Sequence, residues 1–220
     1  MAAGPAARKP AAVRAAEIRA AARDLALEGG LVAVTLRAVA SRVGVAPALV
    51  AHYAPEGMDG LVADAFRTIT AEELADVRRV VAASGGLDTT APTRLARLIR
   101  TALDPARDDV TAVWVDAWSL GRRNTALAAA VREIADGWQE LVAGVIRDGV
   151  EAGAFGDGAP IDADAVAWLV IGLLDGLNAQ SVVHDRHDPA AEGIVLGAVE
   201  RELGMPAGAL RTAAGESRRS

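Results

Sequence analysis

Between Ala12 and Gly204 apolar residues recur every three or four positions, and the rhythm breaks only at glycines, prolines and short polar clusters. That period predicts helices, and no stretch alternates apolar and polar residues over the length of a strand. Helix one starts at Ala12, carries Ile18, Ala22 and Leu25 on one stripe and stops at Gly29-Gly30, where a left-handed C-cap is easy. Thr35 can cap a short second helix through Val43, Gly44 turns the chain, and Pro47 opens a third helix that ends at Tyr53. A fourth helix is expected from Met58 to about Ala83, with Val62, Phe66 and Ile69 inward, followed by a flexible turn at Ser84–Thr90. Three helices come next: one opened by Thr90 and Pro92, one carrying Val110, Val113, Trp114, Ala117 and Trp118, and a long one capped by Asn124. After a break at Gly153–Pro160, Asp162 or Asp164 caps a helix that is apolar on nearly every side from Ala165 to Leu177. Asp188-Pro189 starts the last helix, which ends at Gly204.

The implied class is all-α, with about nine helices. Residues 1–11 read as a disordered arm, 12–57 as a three-helix head, 58–204 as a helical body and 205–220 as a flexible tail. The apolar fraction of 52% owes much to alanine, a strong helix former. The chain has no cysteine, which excludes disulfides, thiolate metal sites and cysteine nucleophiles. Its longest apolar run, Ala165 to Leu174, is about half the ~20 residues that span a bilayer, and the N-terminus lacks the apolar stretch of a secretory signal. A cytoplasmic protein without a membrane partner is expected.

Charge sharpens the picture at one end. The net charge is −6, yet the residues through Tyr53 hold seven basic groups against three acidic ones. A basic first quarter on an acidic remainder suits one end meeting a polyanion. The segment VTLRAVASRVGVAPALVAHY, Val34 to Tyr53, supplies the parts of a helix-turn-helix. Ala40 is small where two helices approach, Gly44 can take a positive φ in the turn, and Val39, Val43, Val45 and Val50 are spaced to point inward.

The run IRAAARDLALEGG, the segment just quoted and the start of a helix near LVADAF together resemble the N-terminal domain of the tetracycline-repressor (TetR) family over roughly Arg14 to Ile69. The resemblance implies a homodimeric, all-helical transcriptional regulator, usually a repressor, whose C-terminal body binds a small-molecule effector and dimerises through its last two long helices. It makes Pro47 to Tyr53 the recognition helix, with Ala46, Pro47, Ala48, Ala51 and His52 toward the bases of double-stranded DNA and Thr35, Arg37 and Tyr53 on its backbone. Small apolar groups can read a thymine methyl, and His52 can donate to a base or a phosphate, but no Arg or Asn offers a bidentate base contact. Thr35 serves equally as an N-cap, Arg37 as a solvated residue and Tyr53 as a ring packed on the core. The chain departs from the family where Ala54 replaces an aromatic residue and Gly57 a lysine that grips phosphate. The arm with Arg8, Lys9 and Arg14 could compensate in a minor groove. Those departures keep a second reading open, an all-helical small-molecule-binding or interaction protein whose head no longer grips DNA.

Within the body, all four tryptophans, Trp114, Trp118, Trp138 and Trp168, accompany polar groups set in apolar runs, namely Asp116, Asp175, Asn178 and Gln180. They form a candidate effector pocket, with a packed core as the alternative. The segment Val113 to Ala154 resembles the C-terminal domain of the betaine-inhibitor branch of the family, whose namesake responds to choline. Ring faces attract such a cation. A helix apolar on every side must be covered on every side, so a two-fold bundle is expected, with Val166, Val170, Leu173, Leu177, Ile194, Val195 and Ala198 at its interface or in the core. His184 and His187, with Asp185 and Asp188, read as a polar helix exit rather than a metal site. No phosphate loop, nucleophile elbow or HExxH appears, and neither a cofactor nor catalysis is expected.

Overall fold

The computed structural model describes residues 10–83, 90–156 and 160–213. The expected arm at 1–11 and the turn at Ser84–Thr90 therefore lie almost wholly outside the described residues. Ten α-helices occur among those described: α1 Ala11–Gly29, α2 Leu36–Val43, α3 Pro47–Tyr53, α4 Gly57–Ala82, α5 Ala91–Ala102, α6 Asp108–Leu120, α7 Thr125–Glu151, α8 Ala163–His184, α9 Ala191–Glu202 and α10 Ala209–Ala213. Single 3-10 turns precede α2, at Leu31–Ala33, and α6, at Pro105–Arg107.

The chain divides into two compact units. The first joins the residues up to Ile69 with Val113–Val131, and the second joins Thr70–Ala112 with the residues from Arg132 onward. α4, α6 and α7 each contribute to both units.

In the first unit, Ile18, Ala22 and Ala26 of α1 are buried with Val39, Ala40 and Val50 of the next two helices and with Phe66 of α4. Phe66 meets Trp114 edge-on, with ring centroids 5.0 Å apart. Asn124 ends the approach to α7 as the sequence predicts, its Oδ1 accepting from the Leu127 N–H at 2.9 Å. Its Nδ2 donates to the Asp59 carbonyl at 3.0 Å, so one buried amide fixes the start of α7 to the first turn of α4. Val62, expected inward, is only half-buried, and Leu61, Ala63 and Ala65 share the inner side of α4 with Phe66.

In the second unit, Leu95, Leu98 and Ile99 of α5 pack with Val142 and Ile146 of α7, Val166 and Val170 of α8, and Val195, Leu196 and Val199 of α9. The expected tail is structured as far as Ala213. The buried Glu200 carboxylate accepts from the Gly208 N–H at 2.8 Å and the Leu210 N–H at 2.9 Å, and Leu210 is buried in the core. Met205 and Leu210 are the only large apolar residues after Gly204, too few to set a period, which is why periodicity misses α10. Asp188 closes the turn that leads into α9: its Oδ1 accepts from the N–H of Ala190, the residue immediately before the helix, at 2.8 Å.

One helix stands apart by composition. α8 is 22 residues long, with a mean hydropathy of 1.5 over 18 residues, enough by length and composition to cross a membrane. Counting only Ala165 to Leu174 understates this, since the apolar character runs on through Val183. Asp162 caps the helix, accepting from the Asp164 and Ala165 N–H groups at 3.1 Å each.

Candidate nucleic-acid interface

Two short helices present the first unit's candidate surface, and their caps explain the geometry. Thr35 is extended, and its Oγ1 accepts from the Ala38 N–H at 3.2 Å to start α2. Gly44 ends α2 in the left-handed region, at φ 71° and ψ 42°, where a side chain would be strained. The Val45 N–H then reaches back to the Ala40 carbonyl at 2.9 Å, which closes the turn. Ala46 caps α3 without a side-chain bond, and Pro47 fills a first-turn position where no donor is required.

Val50 is the buried residue of α3; Ala48, Ala51 and His52 are exposed away from it, and Ala46 and Pro47 are exposed at the helix start. Tyr53 is half-buried, and its ring stands perpendicular to that of His52 with centroids 5.1 Å apart. Thr35 and Arg37 are exposed at the start of α2. All eight residues singled out in the sequence are thus on or at the rim of the surface that α2 and α3 form together. Capping already uses one lone pair of the Thr35 hydroxyl, which leaves its proton to donate.

Electrostatics separates these cations from their neighbours. Arg42 forms a fork with Glu28, at 3.0 and 2.5 Å, that ties the end of α2 to the end of α1. The hydrogen bond holds the Glu28 carboxyl below the usual carboxylate range and raises Arg42 in turn. Arg14 is paired with Glu17 at 2.9 Å. Arg37 forms no ion pair among the described residues, so the positive surplus is not spread evenly over the head but includes a bare guanidinium beside α3.

At the family's lysine position the chain makes a tight turn. The Gly57 N–H donates to the Ala54 carbonyl at 2.8 Å, and Gly57 has φ 69°. A lysine there would be strained, so the backbone accounts for the glycine. Ala54 is buried, which fits a small residue under the turn.

The candidate effector residues are divided between the two units. Trp114 and Trp118 belong to the first unit with centroids 6.2 Å apart, whereas Trp138 packs on the core of the second unit and Trp168 is 63% exposed. Neither unit by itself holds all four tryptophans, and α8 turns Trp168 outward because Val166 and Val170 take its inner side. Asp116 serves the head instead, its Oδ2 accepting from the Val32 N–H at 3.4 Å. Gly30 is required beside it, since a Cβ there would lie 2.3 Å from that oxygen.

Asn178 lines a different cavity, in the second unit. This polar groove of about 290 Å3 is bounded by Arg100, Asn178, Ser181, His187 and Glu192. Asn178 donates to the Ala102 carbonyl at 2.9 Å, Arg100 Nε donates to Glu192 at 2.6 Å, and His187 Nε2 lies 2.9 Å from Asp108 Oδ2. Sequence reasoning missed Arg100 and Glu192, which lie 92 residues apart on regular helical stripes. His187 thus contacts the first residue of α6, and no cluster of three metal-ligating side chains occurs among the described residues.

Of the interface candidates, Val166, Val170 and Val195 are buried within the chain, where the α8–α9 pairing covers them. Leu173, Leu177 and Ala198 are half-buried and Ile194 is 50% exposed. The outward stripe of α8 is instead Ala165, Trp168, Gly172, Asp175, Gly176 and Val183.

A helix-turn-helix with an exposed second helix and a bare cation beside it defines a DNA-binding protein of the bacterial regulator type. Comparison with known proteins is specific. Residues 18–65 match the bacterial regulatory proteins of the tetR family, and residues 91–204 match the C-terminal domain of the BetI-type transcriptional repressors. The chain belongs to the TetR family, and it is a ligand-responsive, DNA-binding transcriptional regulator and not an enzyme.

Solved structures share the fold. A proposed transcriptional regulator from Pseudomonas aeruginosa PAO1 is 22% identical with a TM-score of 0.72, covering 93% of this chain and 96% of its own. A proposed regulator from Saccharomonospora viridis in complex with choline is 23% identical with a TM-score of 0.69, covering 86% and 96%. The regulator FadR from Bacillus subtilis in complex with stearoyl-CoA is 17% identical with a TM-score of 0.64, covering 86% and 97%. Among curated proteins none matches the chain.

Proposed function

We propose that the protein is a cytoplasmic, homodimeric repressor that two copies of α3 hold on a palindromic operator and that a small polar effector releases. The observation that carries this reading is the set of exposed small residues on α3 together with exposed Thr35 and Arg37, the latter without an ion pair among the described residues. Small side chains let the helix backbone approach the groove closely, so phosphate contacts dominate affinity and thymine methyls supply the sequence preference. Two recognition helices must reach major grooves one turn apart, ~34 Å, and that spacing requires a palindrome. An effector releases DNA only to the extent that it binds the DNA-incompetent spacing more tightly.

The effector site in this reading is the groove beside Asn178. Its size and its mixed lining of Arg100, Glu192, Ser181 and His187 suit a small polar or zwitterionic molecule and not a long acyl chain. Choline, held by one structural neighbour, and stearoyl-CoA, held by another, are the first two chemistries to compare.

Fluorescence anisotropy with upstream DNA from the protein's own genomic neighbourhood, at two salt concentrations, tests the reading. Saturable, salt-sensitive binding that resists competitor DNA and is reversed by a small polar molecule is the expected result. Affinity equal to that for random DNA would favour the ligand-binding alternative.

A further inference from the structure

The outward stripe of α8 has an internal symmetry that the fold of the single chain does not use. Exposed Trp168, Gly172, Asp175, Gly176 and Val183, with half-buried Ala179, fall at the three- and four-residue spacing of one helix side. Trp168 is 63% and Val183 72% exposed, and a Cβ built on Gly172 or Gly176 would meet no atom within 4 Å. Reversing the direction of the stripe about a point between Asp175 and Gly176 maps it onto itself: Trp168 falls on Val183, Gly172 on Ala179 and Asp175 on Gly176. A surface complementary to its own inverse is what an isologous contact requires.

Resting on the dimeric reading above, we infer that a second copy covers this stripe in an antiparallel register with the two-fold axis between Asp175 and Gly176, and that forming the dimer takes up a proton. Small residues at Gly172, Gly176 and Ala179 let the two helices approach closely. The large groups, Trp168 and Val183, close the ends. The register puts the two Asp175 carboxyls on either side of the axis, where two like charges cannot both persist once water is removed.

Asp175 is the only ionisable residue of α8 between Ala165 and Val183. Among the described residues it has no hydrogen bond or ion pair. Although exposed in the single chain, it has enough apolar neighbours to push its carboxyl up to about 6 by desolvation alone. The charged groups of α9 are Glu192, Glu200, Arg201 and Glu202. Glu192 is paired with Arg100 and Glu200 caps α10. Arg201 is the cation to exclude, since its guanidinium lies 3.8 Å from where a Gly197 Cβ would be. His184 and His187 lie at the far end of the stripe.

The sign follows from linkage. A group whose proton affinity rises on association strengthens that association as pH falls. Sedimentation of wild-type protein should show a dimer dissociation constant that falls at least tenfold from pH 8 to pH 5.5 and then levels off. Asp175→Asn should dimerise at least tenfold more tightly than wild type at pH 8, with most of the pH dependence gone. Histidine effects would survive in that variant and are thereby separated. Because the chain has no cysteine, mixing Trp168→Cys with Val183→Cys proteins should give a disulfide-linked heterodimer on oxidation, whereas neither alone should cross-link efficiently.

A dimer with the same pH-independent affinity in wild type and Asp175→Asn, or one that loosens in acid because Arg201 of the second copy neutralises Asp175, would overturn the inference and leave the dimeric reading intact. So would cross-linking in another register. A chain that stays monomeric at every pH would overturn both.

Discussion

α3 and α8 both expose small residues, and they face opposite kinds of partner. The exposed alanines of α3 stand among Arg37, His52 and the Thr35 hydroxyl, whereas the exposed alanines and glycines of α8 stand between a tryptophan and a valine with one carboxyl among them. Smallness in both cases permits close approach of a backbone. What the surrounding groups offer decides to what: cations and donors to a phosphate-lined groove, apolar surface to another helix. Exposure alone therefore says nothing about solvation as a final state.

The sharpest way to separate packing from docking is to truncate one aromatic residue from each setting. Phe66→Ala removes a fully buried ring and its edge contact with Trp114, and should destabilise the chain by about 3–5 kcal/mol, read from chemical denaturation. Trp168→Ala, by contrast, should leave that denaturation profile nearly unchanged when dimerisation is excluded by dilution. Its cost should appear in sedimentation as a dimer weakened by about 2 kcal/mol, roughly thirtyfold.

On the DNA side the expected effects are smaller and depend on salt. Arg37→Ala should lower operator affinity and reduce the slope of log affinity against log salt by about one, as the loss of one phosphate contact does. Tyr53→Phe should cost only a few-fold. Anisotropy at two salt concentrations measures both, and an unchanged slope for Arg37→Ala would detach α2 from the phosphate backbone. The smallest effect concerns the Glu28–Arg42 fork. A carboxyl held below its ordinary value contributes stability that is present at neutral pH and lost as pH falls through its folded value. Glu28→Gln should thus lower Tm slightly at pH 7 and not at pH 3.

Much of the head was legible because its rules are local. Gly44, Thr35 and Pro47 act within four residues of their own positions, and the structure uses each as the spacing suggests. Helix existence in the body was equally readable from period. What failed depends on long-range pairing. Whether Val166 or Trp168 faces the core is undecidable in a helix that is apolar all round, because periodicity then carries no phase. The groove needed Arg100 and Glu192 to meet across 92 residues, and α10 exists because Glu200 reaches two N–H groups in the following segment.

The apportioning of residues 113–131 to the first unit has an evolutionary corollary. Phe66 depends on Trp114, and the first turn of α4 depends on Asn124. A recombination event that joined a new head at residue 57 or 69 would sever these dependencies unless the stretch of α6 and α7 travelled with it. Exchange of reading heads between relatives is consequently constrained to bring along a distant piece of the body, so the module that is inherited together is discontinuous in sequence.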